Sequence, residues 1–99
     1  MTTIYNEIGF TELRVLDNCE WDEFYFFAGK LKEQLKISYK DKSTGLDSCY
    51  WPFDFEECNM MVHYNIYMGI SIYPEKGELA SELDNQKVMA IFSTLSLRI

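Results

Sequence analysis

The sequence predicts an α+β fold, a two-layer sandwich in which an antiparallel sheet of about five strands, in the order β-α-β-β-β-β-α, carries two helices on one face. Three observations predict it. Several short segments alternate apolar and polar residues with the period of a strand, and the last three are joined by links too short for parallel crossovers. Two longer segments, Trp21–Leu35 and about 84–97, repeat apolar residues at intervals of three and four, the period of a helix buried along one stripe. The 99 residues are 47% hydrophobic and 16% aromatic with no low-complexity run, enough for one core in one domain over residues 1–99 and against intrinsic disorder.

Residues 10–16 set Thr11, Leu13 and Val15 against Glu12 and Arg14, a half-buried strand. Asp17 and Asn18 offer N-cap oxygens, Glu20 follows Asp17 at capping-box spacing, and Asp22 and Glu23 put negative charge in the first helical turn. The first helix then buries Trp21, Phe24, Ala28, Leu31 and Leu35 and carries Lys30, Lys32 and Lys36 toward its C-terminal end. Gly29 costs this helix about 1 kcal/mol relative to Ala, which points to close packing against the sheet.

Residues 36–40 alternate around Ile37 and Tyr39 and read as a second strand, followed by a polar loop over 41–48. In residues 50–56, Trp51, Phe53 and Phe55 share one face and Tyr50, Asp54 and Glu56 the other. Pro52, with no N–H, requires an edge strand or an outward-facing nitrogen. A turn at 57–59 leads to a strand over 60–65, a second turn at 67–69 to a strand over 70–73, and Pro74 ends the meander. Ser81, Asp84 and Asn85 are caps for a final helix with the stripe Val88, Ile91, Phe92, Leu95 and Ile99. Trp51, Phe53, Phe55, Val62, Ile70 and Ile72 complete the expected core.

Sixteen acidic residues against nine Lys and Arg give a net charge of −7. That balance disfavours nucleic acid and anionic membranes as partners and favours a basic protein. The basic residues are clustered at Lys30, Lys32, Lys36, Lys40 and Lys42. Cys19, Cys49 and Cys58 fit neither a paired disulfide framework nor zinc spacing, so they read as free thiols. Residues 1–10 lack the features of a signal peptide, and no apolar run reaches membrane-spanning length, so the expected location is cytoplasmic.

His63, the single histidine, is a general base only if Cys58 or Cys49 stands beside it. Asp54, Glu56 and Glu57 form a local carboxylate group, which serves glycoside or hard-metal chemistry only with further acidic partners. Nucleotide-binding and hydrolase motifs are absent, and the sequence predicts neither a cofactor nor a metal site. The stronger candidate is the sheet face turned away from the helices. There Tyr50, Met61, His63 and Tyr73, rimmed by Asp54 and Glu56, bring together residue types found in interfaces. The expected function is a non-catalytic protein-binding module, inhibitor-like, immunity-like or chaperone-like, or a homodimer. The alternative is a small cysteine- or carboxylate-dependent enzyme.

The run Trp21–Leu35, followed by Leu46, Asp47, Trp51, Phe53, Phe55, Glu56, Cys58, Met60, His63 and Tyr64, resembles a family of short uncharacterised bacterial proteins, a domain of unknown function. The resemblance implies a bacterial, cytosolic α+β protein and supplies no activity, ligand or catalytic residue. In size and acidity the chain is also similar to bacterial immunity proteins and secretion chaperones.

Overall fold

A computed structural model describes residues 3–5 and 9–97, with side chains described for 9–95. The chain runs β1 (Thr3–Tyr5), β2 (Glu12–Leu16), α1 (Trp21–Leu35), β3 (Ser43–Thr44), β4 (Ser48–Phe55), β5 (Cys58–Asn65), β6 (Gly69–Pro74), a 3-10 turn (Gly77–Leu79) and α2 (Glu82–Leu97). The strands form one antiparallel sheet in the order β1-β2-β6-β5-β4-β3. The α+β expectation holds, with five strands of three residues or more and the two-residue β3 at one edge.

The meander keeps the expected register. Cys49, Trp51, Phe53 and Phe55 of β4 lie opposite Tyr64, Val62, Met60 and Cys58 of β5, and Val62 and Tyr64 lie opposite Ile72 and Ile70 of β6. This inner face meets Phe24 and Leu31 of α1 and Val88, Ile91 and Leu95 of α2 in one cluster. Phe24 stacks on Tyr64 at 4.9 Å and 10°, and Trp21 meets the same ring edge-on at 4.8 Å. The Tyr64 hydroxyl, deep in this cluster, donates to the Cys19 carbonyl at 2.7 Å. A buried phenol is thereby satisfied, and the chain leading into α1 is tied to β5.

Several local expectations are corrected. Residues 36–40 are not a strand. Lys36 ends α1 in the left-handed region (φ 55°), and only Tyr39 bridges to Phe53. Lys40 N–H donates to the Pro52 carbonyl at 2.9 Å, but Pro52 has no N–H to return, so a ladder cannot propagate along this edge. The loop expected over 41–48 contains β3 and a tight turn closed by Gly45 N–H to Ser48 O at 2.8 Å. A further edge strand, β1, pairs with β2, its three residues being too few to show a period.

The cap of α1 is Glu20 rather than Asp17 or Asn18, with the Glu23 carboxylate accepting from the Glu20 N–H at 3.0 Å. At α2, Ser81 and Asp84 exchange reciprocal bonds of 3.1 Å, starting the helix at Glu82. Asn85 reaches across to accept from the Thr11 N–H at 2.8 Å, fixing α2 on the start of β2. Trp21, Trp51 and Phe92 are half-buried and pack against the core rather than within it, and the expected stripe residue Ile99 lies outside the described residues. The β4–β5 turn falls at Glu56–Glu57, both at positive φ (49° and 70°), leaving Cys58 and Asn59 in β5. Gly29 is exposed, and nothing lies within 4 Å of where its Cβ would be, so close packing is not its role.

Candidate functional site on the bare sheet face

Both helices cover the inner face, and among the described residues no helix or strand covers the other. A one-sided antiparallel sheet ordinarily turns polar residues to water. Here Tyr50 of β4 and His63 of β5 are direct cross-strand partners, and their rings stack at 4.2 Å and 6°. His63 meets Tyr73 of β6 edge-on at 6.2 Å and 75°, and Tyr73 in turn meets Phe10, which precedes β2, at 5.7 Å. Met61 sits between Pro52 and Tyr73 in the neighbouring row. The result is a line of four rings crossing the sheet.

Four of the six residues singled out in the sequence, Tyr50, Met61, His63 and Tyr73, are therefore brought together. Asp54 stands at the polar end of the same face, exposed, opposite Asn59 and bound to Lys40 Nζ at 3.1 Å. Glu56 does not join them. It sits in the turn, and its carboxylate pairs with Lys87 of α2 at 2.6 Å. Asp54 and Glu56 are thus each paired with a different lysine, one in the segment before β3 and one on α2, and do not work as a pair.

An ion pair lies close to the rings. Glu12 accepts from Arg14 Nη2 at 3.2 Å, and Glu12 and Ser71 are only 9% and 7% exposed. Alternation along β2 had placed Glu12 and Arg14 opposite Leu13, but not which strand they would adjoin. The same alternation puts Phe10 on the side of Glu12, but it does not show that Phe10 meets Tyr73. His63 Nε2 is buried without a hydrogen-bond partner among the described residues. Burial pulls the His63 pKa below its ordinary value, and the Glu12 carboxylate opposes that shift.

The thiols lie elsewhere. Cys49 is opposite Tyr64 on the inner face while His63 points outward, and Cys19 and Cys58 are also buried. Burial and the neighbouring acids Glu23, Glu20 and Asp22 push the Cys19 thiol up to about 11. Burial and a hydrogen bond with Asp84 push Cys58 up as well. Neither is a ready thiolate at neutral pH. Among the described residues no cluster of three His, Cys, Asp or Glu could hold a metal ion, and no helix is long and apolar enough to cross a membrane.

A concave region lies in the helical layer. An apolar groove of about 750 Å³ runs between α1, the end of β2 and Leu95, with Leu31 and Phe27 among its lining and Phe26 69% exposed on it. Its polar residues, including Asp22, Glu23, Lys30 and Gln34, come chiefly from one side of α1 and form no convergent acid–base or nucleophile arrangement. Phe26 and Phe27 fall outside the stripe read from the sequence.

No curated protein and no solved structure matches the chain. One family model does, that of a protein of unknown function (DUF3630), over residues 6–95. The match spans β2 to β6 and both helices, leaving out only β1 and the end of α2, and the chain belongs to this family of unknown function, DUF3630.

Proposed function

We propose that the protein is a non-catalytic binding module that seats a basic protein partner on its bare sheet face, through Tyr50, Met61, His63 and Tyr73 with Asp54 at the rim. The observation that carries this reading is the line of rings from Tyr50 through His63 and Tyr73 to Phe10 on a face that no described helix or strand covers. Aromatic, Met and Arg side chains are the types enriched at the centres of interfaces. Outside residues 30–42 the chain holds fourteen Asp and Glu against four Lys and Arg, so the field around the face draws a basic partner.

The test is capture from the source cell with the parent chain, a Tyr50→Glu variant on the face, and a Leu79→Glu variant at an exposed apolar residue elsewhere. A partner held by the parent and by Leu79→Glu, lost from Tyr50→Glu and released by moderate salt is the expected result. A partner retained by Tyr50→Glu places binding elsewhere. Sedimentation over a wide concentration range reads the homodimer arm, and a monomer that also captures nothing overturns the proposal.

A further inference from the structure

A pocket of about 370 Å³ opens on the helical side of the molecule, between the exposed stripe of α1 and the segment leading to β3. Tyr25, Gly29 and Lys32 bound it on the helix, with Tyr39 and Trp51 opposite. Its aromatic walls are held by hydrogen bonds to backbone. The Tyr39 hydroxyl donates to the Ala28 carbonyl at 2.8 Å, and Trp51 Nε1 donates to the Lys40 carbonyl at 2.9 Å. Tyr39 stacks on Trp51 at 4.2 Å, while Tyr25 stands nearly perpendicular to it, at 6.1 Å and 78°. These rings make a corner whose orientation is set before any ligand arrives, which limits the ordering cost of binding.

Two further features point to a ligand. Gly29 weakens α1, no close packing requires it, and it lines this pocket, where a side chain would stand in the open space. The pocket also lies in the one basic part of an acidic chain. Residues 30–42 hold five lysines against Glu33 and Asp41, whereas the rest of the sequence holds four basic residues against fourteen acidic ones. Lys40 is tied to Asp54, Lys42 Nζ donates to the Tyr25 hydroxyl at 3.0 Å and lies 4.5 Å from the centroid of Tyr25 and 5.0 Å from that of Trp51, and Lys32 lines the helical wall.

We infer that this pocket binds a small planar aromatic anion. Its ring lies on Trp51 against Tyr25 and over the bare backbone of Gly29, and its carboxylate or phosphate is met by Lys32 and Lys42. Lys42 exchanges its exposed hydrogen bond to the Tyr25 hydroxyl for one to the anion and yields the ring faces to the ligand. A cationic ligand, which an aromatic corner alone would also suit, meets two ammonium groups here and is disfavoured. The pocket sits in the layer opposite the bare sheet face, so this inference and the proposed partner binding stand or fall separately.

The experiment is an NMR titration of the ¹⁵N-labelled chain with two probes, adenosine 5′-monophosphate and 4-hydroxybenzoate. Saturable shifts of the Trp51 indole and Gly29 amide resonances at millimolar probe, without a matching shift of the His63 ring, are expected. Adenosine and inorganic phosphate, each supplying half of the first probe, are expected to bind at least about tenfold more weakly. Gly29→Leu, which fills the pocket floor, and the double variant Lys32→Gln, Lys42→Gln are each expected to weaken nucleotide binding by about tenfold or more. Gly29→Leu should melt no lower than the parent, which separates blocking from unfolding. Failure of both aromatic anions to bind overturns the inference, as does stronger binding of tetramethylammonium or an affinity matched by phosphate alone. A single-stranded oligonucleotide bound far more tightly than the mononucleotide also overturns it, in favour of a nucleic-acid surface.

Discussion

His63 shows how the sheet face sets the chemistry of a single side chain. Its ring is stacked on Tyr50 and edged by Tyr73, with the Glu12–Arg14 pair on β2, beyond the intervening β6. Burial makes the charged imidazolium less favourable in the folded chain than in the unfolded one, and Glu12 only partly offsets this. A folded pKa below the unfolded value means that the unfolded chain binds the extra proton first. His63 therefore contributes stability that is fully present above its ordinary pKa of 6.5 and is lost as pH falls below it. Urea denaturation across about pH 5 to 8 should show the parent losing more stability toward acid than His63→Gln does, with the gap opening below about 6.5. A gap that does not change with pH refutes the assignment. Histidine chemistry of this kind was legible only as far as the face on which His63 sits. Its stacking partner depends on register between strands, which alternation within one strand does not state.

Among the elements, the two hairpins of the meander make opposite demands on their turns. The β4–β5 turn places Glu56 and Glu57 at φ 49° and 70°, a geometry that favours Asn and Gly, and side chains there store strain of about 1 kcal/mol each. Lys87 holds Glu56 in place from α2, whereas Glu57 is exposed in the turn. Glu57→Gly is expected to raise stability by about 1 kcal/mol, read as a higher urea midpoint at unchanged slope. In the β5–β6 hairpin, Gly69 has φ 85°, and a Cβ there would lie 1.9 Å from the Leu16 carbonyl oxygen. That clash is with backbone, at the point where the β2–β6 register shifts, so neither chain can give way cheaply. Gly69→Ala is expected to cost about 3 kcal/mol or more, and a variant that unfolds at the parent's midpoint would show that β2 does not hold this position. The sequence marks both turns, but not which one carries strain, since φ is set by the loop length that pairing leaves between the strands.

For the whole molecule, the core joins both helices to the inner sheet face, and its members do not contribute equally. Leu31 is fully buried among residues of both layers, while Phe92 on α2 is half-buried. Leu31→Ala should cost about 2 to 5 kcal/mol, a large share of the roughly 5 to 15 kcal/mol that holds a domain together, and Phe92→Ala distinctly less. Equal losses in thermal or urea unfolding would show that α2 is seated more deeply than its exposure indicates. Local spacing is enough to specify the two helices, the β4–β6 meander and the inward-facing set Trp51, Phe53, Phe55, Val62, Ile70 and Ile72. Each of these is written in a local period, 3.6 or 2, that burial imposes on neighbouring residues. The packed fold is needed to place β2 between β1 and β6, to close Phe10 on Tyr73, to draw Glu56 off the sheet face to Lys87, and to gather Tyr25, Tyr39 and Trp51 around an open glycine. Those juxtapositions join residues distant in the chain, and their geometry is fixed by strand order and register, which no local spacing of residues encodes.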